Sequence, residues 1–262
     1  MALAPLGPGA DTLPGTLPEP GHEPEKRFGV RLTLCAVALV LVAGPLGFLV
    51  AQVTGKGRLV RSDATIATRL HRWAASGAGR IGPMKALTFF GSGPWLAVVV
   101  GVGGIVLFVR RRPRLGVFLV ASGAGGGILD EIIKVWVGRP RPVFTHPIVV
   151  ESGKSFPSGH ATSSTVVYGA LALIVVPLFG RRARLVPVVV AVALVLGIGF
   201  SRLALGAHYL TDVVGGFVLG LAWLSLSTAA FTAWRRERTG LPTDITGGLE
   251  PSVASRGRPE ID

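Results

Sequence analysis

Hydrophobic and polar positions alternate along the chain in long blocks, a pattern typical of a helical membrane protein. Each apolar run is about as long as a bilayer-spanning α-helix requires, and most end in basic residues. The runs predict six transmembrane helices, at residues 32–53, 94–109, 115–137, 159–179, 185–200 and 209–234. The expected fold class is therefore an all-α integral membrane bundle. An alternative start for the second span is Pro83.

The remaining segments predict the domain organisation. Residues 1–30 and 237–262 are rich in Pro, Gly and charged side chains and lack periodicity, so we expect disordered tails on either side of a six-span domain, 31–236.

The segment between the first two spans is expected to form a short amphipathic helix on the membrane surface. Ile66, Leu70 and Trp73 recur there at helical spacing. Asp63 is expected to cap the start of this helix, and His71 to be an ordinary surface histidine.

Composition supports the membrane interpretation: 49% of residues are hydrophobic and the mean hydropathy is +0.57. The net charge of +13 could suggest a nucleic-acid partner. However, Arg and Lys form short clusters between apolar runs, which is the pattern of membrane loops, so no nucleic acid is expected.

Gly216 and Gly220 in the last run predict a close helix–helix approach. The single cysteine, Cys35, excludes an intrachain disulfide.

The basic clusters also predict the topology. Six spans place both termini on one side, and the dense clusters at 110–114 and 181–184 lie on that same side. The positive-inside rule makes that side cytoplasmic, although the basic segment 54–82 opposes the assignment. Loops 138–157 and 201–207 then lie together on the extracytoplasmic side.

Three polar segments on that side carry candidate chemistry. The first contains Lys134, Arg139 and Arg141, of which Lys134 lies near the end of a span, where a charge is costly. Asp130 and Glu131 precede it by one helical turn, so either could pair with it and orient it.

The second segment is Pro157-Ser158-Gly159-His160, directly before an apolar run. Ser158 is a favoured N-cap residue, and Gly159 allows another group to approach the backbone closely. The free N–H groups of a helix start form an anion site, and His160 stands beside it.

The third segment contains Ser201, Arg202, His208 and Asp212. The last two are four residues apart at an expected helix start and share a face. The carboxylate could then accept a proton from one ring nitrogen and leave the other free to attack. An ordinary local hydrogen bond and a metal site are alternatives. The metal site is disfavoured because the nearby charges are cationic and no further ligand cluster is close.

Together the segments favour phosphoryl transfer without a metal. Lys134, Arg141 and Arg202 would neutralise the equatorial oxygens of the transition state. One histidine would attack phosphorus while the other protonates the leaving oxygen.

These segments resemble the motifs of the type 2 phosphatidic acid phosphatase family, which shares its site with the vanadium haloperoxidases. The family pattern is Lys, six residues, Arg-Pro; then Pro-Ser-Gly-His; then Ser-Arg, five residues, His, three residues, Asp. All three parts match in order and spacing, across residues 134–212. Spacing from Lys134 selects Arg141, so Arg139 is expected to assist it or to face lipid headgroups.

The resemblance implies roles for these residues. His208 would be the nucleophile, oriented by Asp212, and His160 the general acid and then the base that activates water. No metal or cofactor is expected. The implied phosphate ligands are Lys134, Arg141, Ser158, Gly159 and Arg202.

The expected function is a multi-pass phosphatase of the cell membrane, with its site on the extracytoplasmic side. Polyprenyl diphosphate, phosphatidate and phosphatidylglycerol phosphate are all plausible substrates, and the sequence does not select among them or give the oligomeric state. One alternative is a vanadate-dependent haloperoxidase, which the six spans disfavour because known haloperoxidases are soluble. Another is a non-catalytic lipid-phosphate binder or transporter, which the presence of His208 and Asp212 disfavours.

Overall fold

The computed structural model describes residues 44–55 and 57–239. Within those residues the chain is all-α and contains no strand, in agreement with the expected fold class. The helices are α1 (Gly44–Thr54), α2 (Arg58–Ala75), α3 (Ala78–Phe89), α4 (Gly93–Val109), α5 (Pro113–Val137), α6 (Gly159–Val175), α7 (Leu185–Ala204) and α8 (Leu210–Thr239). A short 3-10 helix, Val176–Leu178, continues α6.

Four of these helices are long and apolar enough to cross a bilayer: α5, α6 with its 3-10 extension, α7 and α8. A fifth candidate is the pair α3–α4, which is bent by 43° at its break. Helix α1 covers the end of the first predicted span, whose remainder lies outside the described residues together with the chain termini. Six spans and cytoplasmic termini therefore stay predictions, as do the two tails.

The outward face of α4 shows why the fold needs a membrane. Val98, Val102 and Ile105 recur along it and are 56%, 56% and 66% exposed. A contiguous apolar surface of this kind is unfavourable in water, whereas lipid chains accommodate it.

Three connections differ from the sequence prediction. Helix α3 already begins at Ala78 and contains Pro83, so the apolar segment starts earlier than proposed. Helix α7 extends to Ala204, which places Arg202 in its last turn rather than in a loop. His208 precedes the first residue of α8, so it does not share a helical face with Asp212 as the spacing suggested. The chain turns at Gly206, whose φ of 76° suits a residue without a side chain.

Helix α2 is amphipathic, but its buried face is not the predicted one. Its buried residues are Asp63, Ala67, His71 and Ala74. Trp73, expected on the apolar face, is 41% exposed. Because α2 begins at Arg58, the prediction that Asp63 caps it is also wrong. The small and polar face is buried because Asp63 and His71 have partners elsewhere in the fold.

Helix α6 lies at the centre of the bundle, against α5, α7 and α8. The α6–α8 contact depends on glycine. A Cβ on Gly216 would lie 2.7 Å from the carbonyl oxygen of Ser158, and one on Gly220 would lie 2.9 Å from that of Thr162. The close approach predicted from the glycine pattern is confirmed, and it positions the start of α8 against the start of α6.

We predict that Gly216→Ala lowers the thermal unfolding midpoint in detergent. The new methyl group meets backbone, which cannot yield as a flexible side chain would, and overpacking of this kind costs about 1–3 kcal/mol. Gly127→Ala in α5 is the matched control, because a Cβ there has no neighbour within 4 Å. Its midpoint should be unchanged or slightly raised by the better helix propensity of alanine. Equal midpoints for the two variants would contradict the steric argument.

Candidate active site

Four helix ends meet at one end of the bundle and bring the three motif segments together. They are the end of α5 with Lys134, the start of α6 with His160, the end of α7 with Arg202 and the start of α8 with Asp212. Backbone contacts connect them: the N–H of Ser158 donates to the carbonyl of Asp212 over 3.0 Å.

His208 is buried, and both ring nitrogens have a partner. Nδ1 lies 2.9 Å from the carbonyl oxygen of Ser155, and Nε2 lies 3.0 Å from Nη1 of Arg141. A carbonyl can only accept and a guanidinium can only donate, so the proton is on Nδ1 and the unprotonated Nε2 accepts from Arg141. Burial lowers the pKa of His208, against the opposing effect of Asp212, and thereby favours the neutral ring.

Asp212 stands behind the histidine, but not with the predicted hydrogen bond. Its Oδ2 is 3.6 Å from Nδ1 of His208, beyond hydrogen-bond length, because the proton points to the Ser155 carbonyl. The same oxygen accepts from the backbone N–H of Tyr209 over 2.9 Å and from the hydroxyl of Ser155. Asp212 therefore acts on His208 in two ways: through its charge, and through its hydrogen bond with Ser155, whose carbonyl oxygen accepts from His208.

Lys134 reaches the start of α6 with two carboxylates around it. Its Nζ is 2.7 Å from Asp130 and 2.8 Å from Glu131, so both pairings suggested by the sequence form. Asp130 is buried and also accepts from the hydroxyl of Thr162 over 2.8 Å. A Cβ on Gly159 would lie 2.9 Å from Lys134 Nζ, so glycine at this position allows the ammonium group to approach the start of α6 closely.

Arg141, Arg202 and Ser158 present polar atoms to the same region. Within the described part of the chain, Arg141 Nε, Arg202 Nε and Ser158 Oγ are buried without a hydrogen-bond partner. Ser158 does stand at the N-cap of α6, but its side chain makes no capping bond. Buried donors without acceptors are costly, which is typical of a site built to bind an anion.

His160 occupies the first turn of α6 and is half-buried. A Cβ on Gly91, in the break between α3 and α4, would lie 3.2 Å from its ring carbon Cδ2. The strongest charges acting on the ring are those of Arg202 and Glu151. His160 is thus on the same side of the site as these two groups.

Glu151, which the sequence analysis did not single out, lies between the two arginines. Its Oε2 is 3.0 Å from Arg141 Nη1, and its Oε1 contacts Arg202 Nη2. Burial is the largest single effect and would raise the pKa of Glu151, but Arg202 and Arg141 together with His160 outweigh it, so the pKa lies below the ordinary glutamate value. It is the only acidic residue in the segment between α5 and α6, a signal that the sequence did contain.

Arg139 is also placed differently from the prediction that it assists Arg141 or faces headgroups. It is buried, and its guanidinium bridges two carboxylates, at 2.5 Å from Asp212 Oδ1 and 2.8 Å from Asp63 Oδ2. Nη1 also donates to Thr211 Oγ1 over 2.6 Å, and the group stacks 4.2 Å from the ring of Tyr209. Arg139 therefore ties α2 to the start of α8.

The prediction that His71 is a surface residue is wrong as well. The side chain is buried, its Nε2 lies 3.0 Å from the carbonyl oxygen of His146, and its ring stacks on Phe144 at 4.0 Å. This contact fastens the segment after α5 to α2, a long-range pairing that helical periodicity cannot reveal.

The site is therefore rich in cations and holds a neutral histidine whose Nε2 is unprotonated. Among the described residues, no group of three or more His, Cys, Asp or Glu side chains is arranged to hold a metal ion. The arrangement can bind an anion and attack it.

Comparison with known proteins gives a consistent result. The family model described as the PAP2 superfamily matches residues 115–236. Phosphatidylglycerophosphatase B of Bacillus subtilis is 35% identical over 141 residues, which is 53% of this chain and 68% of that protein. The lipid A 1-phosphatase of Rhizobium etli is 31% identical over 201 residues, 68% of this chain and 80% of that protein.

A solved structure is also similar. It is the crystal structure of a transmembrane PAP2 type phosphatidylglycerolphosphate phosphatase from Bacillus subtilis, with a TM-score of 0.68 and 26% sequence identity. The match covers 78% of this chain and 98% of that one.

We predict that Arg139→Met strongly destabilises the protein. The change leaves the carboxylates of Asp63 and Asp212 buried without their common cation, and breaking a buried ion pair from one side costs about 3–5 kcal/mol. The unfolding midpoint in detergent measures the effect. The midpoint of Arg139→Lys should lie between those of the unaltered protein and Arg139→Met, because an ammonium group keeps the charge but cannot make the forked contact. Arg69→Met, an exposed arginine on α2, is the control and should leave the midpoint unchanged. Destabilisation no greater than that of the control would contradict this role.

Proposed function

The chain belongs to the PAP2 superfamily, and on this basis we propose that it is an integral-membrane phosphatase that hydrolyses lipid phosphate monoesters or diphosphates. One observation carries the proposal: the unprotonated Nε2 of a neutral His208 faces the guanidinium of Arg141. A nucleophile and an anion-binding group are thus already adjacent. Phosphatidylglycerol phosphate, phosphatidate and polyprenyl diphosphate are the candidate substrates.

In the first step, Nε2 of His208 attacks phosphorus and the bond from phosphorus to the leaving oxygen breaks. This oxygen is the lipid oxygen of a monoester or the bridging oxygen of a diphosphate. The leaving oxygen takes a proton from His160, which leaves a phosphohistidine and the free lipid alcohol, or the lipid monophosphate when the substrate is a diphosphate. In the second step, His160 removes a proton from water, the resulting hydroxide attacks phosphorus, and the bond from nitrogen to phosphorus breaks. Inorganic phosphate leaves and both histidines return to their starting state.

The phosphate oxygens would be bound by Lys134, Arg141, Arg202, Ser158 and the N–H of Gly159. The buried, unpartnered Nε atoms of both arginines and the Ser158 hydroxyl support this assignment. Asp130 would keep Lys134 at the start of α6, as its 2.7 Å ion pair suggests. Such donors stabilise the transition state because they are fixed before the charge develops.

We propose that the reaction needs no metal. The groups that face the phosphate position are guanidinium and ammonium ions, which repel a metal cation and supply the positive charge that a metal would otherwise provide. Asp212 is engaged by Arg139 and Ser155, so its oxygens are not available as ligands.

The proposed setting is the cell membrane, with six spans in a domain of residues 31–236, disordered tails, cytoplasmic termini and the site on the extracytoplasmic side. The basic 110–114 turn lies at the opposite end of α5 from Lys134, in support of this orientation.

The proposed function predicts phosphate release from lipid phosphates by the purified protein, undiminished in excess EDTA and inhibited by vanadate. Vanadate adopts the five-coordinate geometry of the transition state and should bind the same cations. Release from phosphatidate, phosphatidylglycerol phosphate and a polyprenyl diphosphate would be compared in detergent. Loss of activity in EDTA with recovery on adding Mg²⁺ or Zn²⁺ would overturn the metal-free mechanism. Vanadate-dependent bromination without phosphate release would instead favour a haloperoxidase.

A second prediction separates the two histidines. His208→Ala should abolish turnover and the covalent phosphoenzyme, because the nucleophile is gone. His160→Ala should slow hydrolysis of a lipid phosphate by about 100- to 10,000-fold, the usual contribution of general acid–base catalysis. The first step should be slowed far less with p-nitrophenyl phosphate, whose leaving group departs without a proton. The measurement is the ratio of burst rates on the two substrates for each variant. A His208→Ala protein that still forms phosphoenzyme would reverse the assignment.

A third prediction tests the topology in a Cys35→Ala background. Cysteines introduced at Thr145 and Ser152, which are exposed on the segment between α5 and α6, should react in intact cells with an impermeant thiol reagent. A cysteine introduced at Arg182, exposed between α6 and α7, should react only after lysis. The opposite labelling pattern would reverse the proposed orientation.

A further inference from the structure

Glu151 binds the two arginines that the proposed mechanism assigns to the phosphate group. Each of its carboxylate oxygens contacts one of the two arginines that would bind the substrate, Oε2 on Arg141 at 3.0 Å and Oε1 on Arg202. A carboxylate that bridges two guanidinium groups in this way resembles two oxygens of a phosphate in charge and spacing.

The carboxylate and the proposed nucleophile contact the same guanidinium group. Nη1 of Arg141 is 3.0 Å from Glu151 Oε2 and 3.0 Å from His208 Nε2. The anion and the attacking nitrogen therefore share one guanidinium nitrogen. A phosphate that is bound by Arg141 and attacked by Nε2 would therefore compete with Oε2 for the same guanidinium nitrogen.

Electrostatics makes occupation by the two anions mutually exclusive. The third proposed phosphate ligand, Lys134, is already paired with Asp130 and Glu131, so Arg141 and Arg202 supply the two available positive charges. A phosphate dianion together with Glu151 would set three negative charges against them in a partly buried site. Like charges at this separation repel strongly when solvent is excluded. In the free protein, by contrast, the carboxylate supplies the counter-charge without which the arginines would be buried unpaired.

Glu151 is the member of this trio that can leave. Its side chain is 28% exposed, compared with 16% for Arg141 and 2% for Arg202. It is followed by exposed Ser152, Gly153 and Lys154, and Gly153 has a φ of 83°, so the chain turns there without packing constraints. The carboxylate can move outward while both arginines stay in place.

We propose that Glu151 is an internal competitor of the phosphate group. It binds Arg141 and Arg202 in the free protein, yields them to the substrate, and recovers them as inorganic phosphate departs. The proposal rests on the function proposed above and adds a residue that sets phosphate affinity and product release.

The test measures inhibition by inorganic phosphate and by vanadate in the full-length protein. Glu151→Gln keeps the shape of the side chain but removes its charge, so the inhibition constants for both anions should fall about tenfold or more, as expected when a competing state holding nine-tenths of the molecules is removed. KM for the lipid phosphate should fall in parallel, and kcat should fall if phosphate release becomes limiting. Lys154→Gln, on the same exposed segment, is the control and should leave the inhibition constants unchanged. Unchanged or raised constants in Glu151→Gln would overturn the proposal.

Two further measurements separate displacement from repulsion at a distance. Glu151→Asp keeps the charge but is too short to bridge both arginines, so its inhibition constants should shift in the same direction as those of the Gln variant. Values equal to those of the unaltered protein would overturn the contact mechanism.

The second measurement reports the motion directly. A fluorophore is attached to the thiol introduced by Val150→Cys in a Cys35→Ala background, at a position where the native side chain is 87% exposed. Phosphate should change the emission, and Glu151→Gln should show the changed emission without phosphate. Emission that phosphate leaves unaltered would contradict the displacement.

The outcomes also separate this proposal from the proposed function. If the unaltered protein hydrolyses lipid phosphates while Glu151→Gln binds phosphate no more tightly, only the competitor role fails. If the unaltered protein neither hydrolyses any lipid phosphate nor binds vanadate, both fail. Unfolding midpoints of all variants in detergent show whether a loss reflects misfolding.

Discussion

Compensation of buried charge is the constraint on which the rest of this structure depends. An apolar bundle that gathers cations at one end must give each a counter-ion, because an unpaired ion in such surroundings is costly. Lys134 has Asp130, Arg139 has Asp63 and Asp212, and Arg141 and Arg202 share Glu151. These pairs also determine which helix ends can meet.

The ion pairs differ in how deeply their carboxylates are buried. This difference distinguishes the pairs that hold the fold together from the pairs at the proposed binding site. Asp63 and Asp212 are almost fully buried and each accepts further hydrogen bonds, so their bridge through Arg139 is a fixed part of the fold. Glu151 is partly exposed, and within residues 57–239 its ion pairs are those with the two arginines. A site that must bind an anion repeatedly needs cations that are positioned permanently but paired exchangeably. In the proposed function, the pairs of Arg139 would supply the fixed positions, and the pairs of Glu151 would supply the exchange.

The sequence predicted the helical class, most span positions, the close α6–α8 approach and the family. Each of these depends on the spacing of residues that are near each other in the chain. It failed where a residue's role depends on a distant partner. From local sequence, Asp63 was predicted to be a helix cap and His71 a surface residue. Both are buried because each has a partner far along the chain: Arg139 pairs with Asp63, and Phe144 stacks on His71. Arg139 itself is an offset copy of the Arg-Pro motif, and only the folded chain distinguishes it from Arg141.

The geometry around His208 also changes how the motif is understood. The i,i+4 spacing suggests that Asp212 takes the Nδ1 proton, but the Ser155 carbonyl does so at 2.9 Å while Asp212 Oδ2 remains at 3.6 Å. A neutral carbonyl fixes the tautomer as well as a carboxylate would, and without drawing the proton away from the ring. In the proposed mechanism, the nearby negative charge would matter chiefly after attack, when the ring becomes positively charged on forming the bond to phosphorus. Asp212 would thus stabilise the phosphorylated ring more than the resting one, and interactions stronger in the transition state than in the ground state are those that accelerate a reaction.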